Sequence, residues 1–190
     1  MKRILRLAAF PVVLFWGSAD AETYQIDVTH SSVDFAIRHL VGKTKGRFAE
    51  FGGTIVYDPV APAATSINGT IQVKSIDTGN ERRDGHLQSG DFFDAEEFPT
   101  ITFVSTQVEE KGGKLKVVGT LTMHGVRKQI AILVEVLGTA VNPRNKKNQI
   151  GLEAEFTIKA SDYGVNSWDN FSAVLGDEVD IEVLIEANAG

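Results

Sequence analysis

Two stretches near the end of the chain alternate so regularly that they leave little choice of fold. Ile150, Leu152, Ala154, Phe156 and Ile158 take every second position around Glu153, Glu155 and Lys159, and Val179, Ile181, Val183 and Ile185 do the same against Glu178, Asp180, Glu182 and Glu186. Successive side chains of a strand point to opposite faces, so a period of two marks strands with one face buried and the other in water. The same parity returns at Val33, Phe35 and Ile37, at Ile67, Gly69, Ile71 and Val73, at Ile101 and Phe103, and at Leu115, Val117, Leu121 and Met123. No long helical period occurs anywhere. About eight antiparallel strands joined by hairpins therefore predict an all-β protein, either a closed barrel or a sandwich.

Turn residues punctuate the pattern. Lys111-Gly112-Gly113 and His124-Gly125 read as hairpin turns, and Asn142 to Asn148 as a polar loop. Tyr24 to Asp27 reads as an edge strand. Gly42 to Gly46 is expected to turn the chain into a long strand over Arg47 to Tyr57, bent at Gly52-Gly53. Val126 to Leu137 is apolar on both parities, with Ala131, Leu133 and Leu137 beside Ile130, Ile132, Val134 and Val136, which predicts cover on both sides for part of its length. Asp162 to Gly176, holding Tyr163, Trp168 and Phe171, is expected to form a rim loop.

One segment fits neither strand nor simple loop. Thr78 to Phe103 opens with Asn80, Glu81, Arg82, Arg83, Asp84, His86 and Asp91, then places Phe92, Phe93 and Phe98 ahead of a strand beginning near Thr100. Long connections in compact domains tend to be functional. The expectation is a short helical cap over a barrel mouth, aromatics inward and polar groups toward a ligand's head.

The N-terminus carries its own signal. Lys2, Arg3 and Arg6 precede an apolar run from Leu7 to Trp16, and Ala19-Asp20-Ala21 offers small residues where a signal peptidase reads, so cleavage is expected after Ala21. The run is too short for stable membrane insertion. Residues 22–190 then form the single folded domain. Three cations and one carboxylate leave with the leader, taking the net charge from −6 to −8. That balance argues against nucleic acid or anionic lipid headgroups as broad-surface partners, since both need a positive footprint, but it leaves room for a local basic site such as Arg82-Arg83. The chain has no cysteine, which excludes disulfides, thiolate metal sites and covalent haem attachment through cysteine.

The pieces HSSVDFAIRHL, KGRFAEFGGTI, IDTGNERRDGHLQSGDFFDAEEFPTITF, GTLTMHGVRKQI and EVDIEVLIE, in this order and spacing, resemble the YceI family of bacterial periplasmic proteins along nearly the whole mature chain. The resemblance implies an extended, lipocalin-like eight-stranded antiparallel barrel that holds a long-chain isoprenoid or other amphiphilic lipid in a tunnel, with its head near the cap. Asp162 to Gly176 and the extreme C-terminus are the least family-like parts.

Candidate residues divide accordingly. His39, Asn80, Arg83, Asp84, His86 and Asp91 are candidates for the head group, because guanidinium forks and imidazoles suit phosphate or carbonyl oxygens. Phe35, Ile37, Phe48, Phe51, Leu87, Phe92, Phe93, Phe98 and Phe103 are candidates for the tunnel wall. Each has a plainer reading. The apolar residues would equally fill a solid core, Asp84 would pair with an arginine inside the cap, and Asn80 suits a helix N-cap. His30, His39, His86 and His124 lack close metal-ligand spacing such as HExxH, so no metal and no cofactor are expected, although a metal- or haem-associated stress protein using His39 and His86 stays open as an alternative. Motifs for a nucleophile elbow, a phosphate loop or a dinucleotide fold are absent, and the expectation is a non-catalytic carrier. A barrel enzyme acting on a lipid head, and a homodimer, also stay open.

Overall fold

The computed structural model describes residues 21–165 and 174–190. Nearly all of the expected leader, together with Trp168 and Phe171, lies outside them. Among the described residues, eleven strands form one antiparallel sheet: β1 (Glu22–Ile26), β2 (Ser32–His39), β3 (Gly42–Phe48), β4 (Phe51–Tyr57), β5 (Ser66–Gln72), β6 (Ile76–Asp77), β7 (Thr100–Lys111), β8 (Lys114–Met123), β9 (Val126–Val141), β10 (Asn148–Lys159) and β11 (Leu175–Ala189). One helix, α1 (Glu81–Gln88), lies between β6 and β7.

The sheet closes on itself because β1 pairs with both β4 and β11. Several short strands are halves of longer ones. Strands β1 and β2 run along the same partner, Tyr24 opposite Ala189 and Ser32 opposite Leu184, with a 3₁₀ turn at Val28–His30 between them. In the same way β3 and β4 flank β2 and β1, and β6 and β5 flank β3 and β4. The result is an eight-stranded closed barrel, as the alternation predicts. Strands this long must bend to close a barrel. Gly53 supplies one bend: it holds φ at 157°, and a Cβ there would sit 2.0 Å from the Asn68 carbonyl oxygen.

Inward side chains pack into two groups. At one end Tyr24, Ile55, Val117, Ile150, Leu152 and Ala187 form a solid plug. Burial pushes the Tyr24 hydroxyl up to about 12, helped by its hydrogen bond to the Glu22 carboxylate at 2.9 Å. At the other end Val33, Phe48, Val73, Ile76, Phe92 and Met123 pack beneath the cap.

Two expectations need correction. Gly42 to Gly46 is strand, not turn, and the chain reverses at Leu40-Val41 instead. The segment looked like a turn because only Thr44 and Gly46 face inward, and Gly46 leaves its space to the Phe35 ring from the neighbouring strand. Nor do the described residues cover the outer face of β9, where Leu133 and Leu137 stand 47% and 51% exposed. Its inner parity alone meets the core, through Val134.

Candidate functional site

A barrel whose inward residues are all apolar would be solid if they were all large. Here the middle of the lumen is kept open by glycines on inward positions. A Cβ on Gly46 would lie 2.4 Å from the Phe35 ring, and one on Gly119 would lie 2.4 Å from the Phe103 ring. The outer edge of each ring therefore occupies the space beside a neighbouring glycine. A cavity of about 570 Å³ remains between the plug and the cap, a size that falls within the range of small-molecule sites. Its wall includes Phe35, Ile37, Phe48, Phe51, Phe103, Ile132 and Val183, with Leu87, Phe92 and Phe93 brought in by the cap.

The cap begins at Thr78, which is the hub of a local network. The Asp84 carboxylate accepts from the Thr78 backbone N–H at 2.9 Å and from its hydroxyl. Arg83 donates through Nε to Thr78 Oγ1 at 2.7 Å and through a terminal nitrogen to the Thr78 carbonyl at 2.8 Å. Asn80 Oδ1 accepts from the Arg83 N–H at 3.0 Å, making Asn80 the N-cap of α1. Just before the helix, Asp77 accepts from the Gly79 N–H and from Arg47, and these two bonds, in that order, hold its carboxyl below its ordinary value. Beyond the helix, His86 Nε2 lies 3.0 Å from Asp91 Oδ2 and its ring meets Phe92 edge to face at 5.1 Å. Phe93 in turn meets Phe48 at 6.2 Å, which pins the cap to β3.

The candidates separate by position. His39, Arg83 and His86 line the cavity beside Thr44 and Thr78. Because His39 and Arg83 are also exposed, this is where the cavity opens to water. Asn80, Asp84 and Asp91 are not on its wall: Asn80 and Asp84 hold the cap together, and Asp91 engages His86. Of the nine apolar candidates, eight line the cavity. Phe98 stands outside it, its ring 4.7 Å from His124 and packed over Gly125. Thr78 and the ring-seating glycines escaped the sequence reading, although a glycine at inward parity beside an aromatic strand was a usable sign.

Among the described residues, two groups place three ligand-type atoms within 4.8 Å of one another: Asp27, His30 and Glu186, and Glu153, Glu155 and Glu182. Neither includes His39 or His86. No helix among the described residues is long and apolar enough to cross a membrane.

An antiparallel barrel plugged at one end, roofed at the other and hollow and apolar between has the architecture of a lipocalin-like binding protein. Comparison with known proteins agrees. The family model described as a YceI-like domain matches residues 24–187, and the chain belongs to this family. It is 37% identical over 171 residues to Protein YceI of Escherichia coli O157:H7, covering 88% of this chain and 89% of that one. Among solved structures it is similar to BcnA of Burkholderia cenocepacia, with a TM-score of 0.78 and 27% identity over 85% of this chain and 98% of that one. It also shares its fold with a polyisoprenoid binding domain from Saccharophagus degradans implicated in plant cell wall breakdown, with a TM-score of 0.67 and 19% identity over 88% and 98% of the two chains.

Proposed function

We propose that the chain is a non-catalytic periplasmic carrier that holds a long-chain isoprenoid or similar amphiphile in the barrel, after a leader is removed behind Ala21. The observation that carries the reading is the 570 Å³ cavity, lined mostly by apolar side chains, with His39, Thr44, Thr78, Arg83 and His86 together on its wall. At about 0.8 kcal/mol per buried CH₂, each isoprene unit contributes roughly 3–4 kcal/mol. A few units outweigh the roughly 4–15 kcal/mol lost on association and leave micromolar or better affinity. No catalytic group is needed for that. Thr78, Arg83, His86 and His39 then orient the head, and the name of the Saccharophagus degradans domain points to the same ligand class.

The test is organic extraction of protein purified from its own periplasm, followed by mass spectrometry. Recovery of a stoichiometric prenyl lipid supports the proposal, whereas material that carries no lipid and takes up none defeats it. Arg83→Ala should weaken head-group binding with the fold intact. Its guanidinium also braces Thr78, so loss of the fold would assign Arg83 to the cap alone.

A further inference from the structure

The turn between β2 and β3 is built from the wrong residues for a turn in water. A two-residue hairpin needs backbone that Asn, Asp and Gly adopt readily. Among the described residues, two other tight hairpins use Gly112-Gly113 and His124-Gly125. Here the two positions are Leu40 and Val41, and Leu40 is held at a φ of 50°. A bulky apolar residue in that region is strained. Packing does not compensate, because Leu40 is about half exposed and Val41 fully exposed.

The surroundings give the turn a direction. Arg38 on β2 and Lys43 and Lys45 on β3 flank it, Arg38 opposite Lys43 and Lys45 one outward position further from the turn. Arg38 donates to the Leu40 carbonyl at 3.3 Å, and Lys43 reaches Asp180 at 2.6 Å. On the inner face of the same hairpin, His39 and Thr44 line the cavity where it opens. An apolar tip with Arg38, Lys43 and Lys45 behind it, Lys43 paired with Asp180, thus stands at the lip of an apolar chamber, on a chain whose net charge is −6. An acidic body is repelled by a negative surface except where its own cations lead, so these residues set the orientation of approach.

We propose that Leu40 and Val41 insert into the surface of an anionic phospholipid bilayer, with Arg38, Lys43 and Lys45 against the headgroups. This seats the cavity mouth on the membrane. An apolar tip entering the boundary between headgroups and acyl chains, with basic residues behind it, gives shallow, reversible and salt-sensitive binding. A lipid chain then passes between bilayer and lumen without crossing water. Docking stands on the hairpin alone, and only the identity of what passes rests on the carrier reading.

The experiment uses exported protein, its N-terminus fixed by mass spectrometry, in flotation with vesicles of phosphatidylcholine or of phosphatidylcholine with a minority of phosphatidylglycerol. Wild type should bind the mixed vesicles at low salt, lose them as salt rises, and bind the neutral vesicles roughly tenfold more weakly. L40N/V41G puts a favoured turn pair in place, keeps the hairpin, and should lower vesicle binding tenfold or more; Lys45→Glu should lower it only on the anionic vesicles. Farnesol binding in solution should be unchanged in both variants. Wild type that ignores the vesicles, or L40N/V41G that binds them like wild type, overturns the docking. Wild type that binds vesicles but not farnesol upholds the docking and counts against the lumen reading.

Discussion

Gly46→Ala separates a hollow barrel from a solid one. The new Cβ would meet the Phe35 ring at 2.4 and 2.9 Å and Thr78 Cγ2 at 2.8 Å, all side-chain atoms, and the ring must retreat by about 1 Å to reach ordinary contact. If the lumen is empty, the ring swings into it. The steric cost then largely offsets the gain of about 0.4–1 kcal/mol from a less flexible unfolded chain, and stability changes by no more than about 1 kcal/mol. In a filled core the same move costs about 1–3 kcal/mol or more. The displaced ring takes space from the ligand. Excluding two or three methylenes at about 0.8 kcal/mol each removes roughly 2 kcal/mol, about a thirtyfold rise in Kd. Urea unfolding reads the first number and calorimetric titration with farnesol reads the second. The double variant G46A/F35L, which shortens the displaced ring, should recover much of the affinity. A stability loss well above about 1 kcal/mol with unchanged affinity would refute the empty-lumen reasoning, and unchanged values of both would show that ligand binds elsewhere.

Three further outcomes follow from the cap and the β1–β2 junction. Thr78→Val keeps the shape but leaves Asp84 without its hydroxyl donor and Arg83 Nε without its acceptor, so stability should fall by about 1–3 kcal/mol, with faster amide exchange across α1. Asn80→Ala removes only the helix cap and should cost about 1 kcal/mol by urea unfolding, with farnesol affinity unchanged, since Asn80 is off the cavity wall. The hydrogen bond to Asp27 raises His30 above its ordinary 6.5, and the same bond is the first cause that lowers Asp27 below 3.8. The His30 contribution is therefore whole below 6.5 and lost as pH rises through the raised value, while that of Asp27 is whole above 3.8 and lost as pH falls through the lowered one. Melting curves of wild type and His30→Gln should differ most between those two values and converge above them; a difference that grows toward alkaline pH would refute the pairing.

What could be read from residue order was whatever depends on parity. In β10 and β11 one face turns to the barrel interior along its whole length, core at one end and cavity wall at the other, so charge and hydrophobicity alternate without interruption and the strands announce themselves. The hairpin of β2 and β3 is different because the inner positions of β3 ahead of Phe48 carry Gly42, Thr44 and Gly46. With a glycine beside the Phe35 ring where an apolar side chain would mark a strand, Gly42-Lys43-Thr44-Lys45-Gly46 reads as a turn, while the real turn, Leu40-Val41, carries no turn residue. The cap shows the same limit. That Asn80 begins a helix follows from local chemistry, but that Thr78 holds both Asp84 and Arg83, or that Phe98 turns to His124 while Phe92 and Phe93 turn inward, depends on β3 and the β8–β9 turn lying beside them. Parity cannot reveal emptiness, since a lining residue and a packed one share the same face. The sign of emptiness is the inward glycine beneath an aromatic ring, as at Gly46 and Gly119. At both sites the ring already takes the room that a Cβ would need. A ring seated over a glycine reaches less far into the lumen than one propped on a side chain, and the volume it gives up belongs to the cavity.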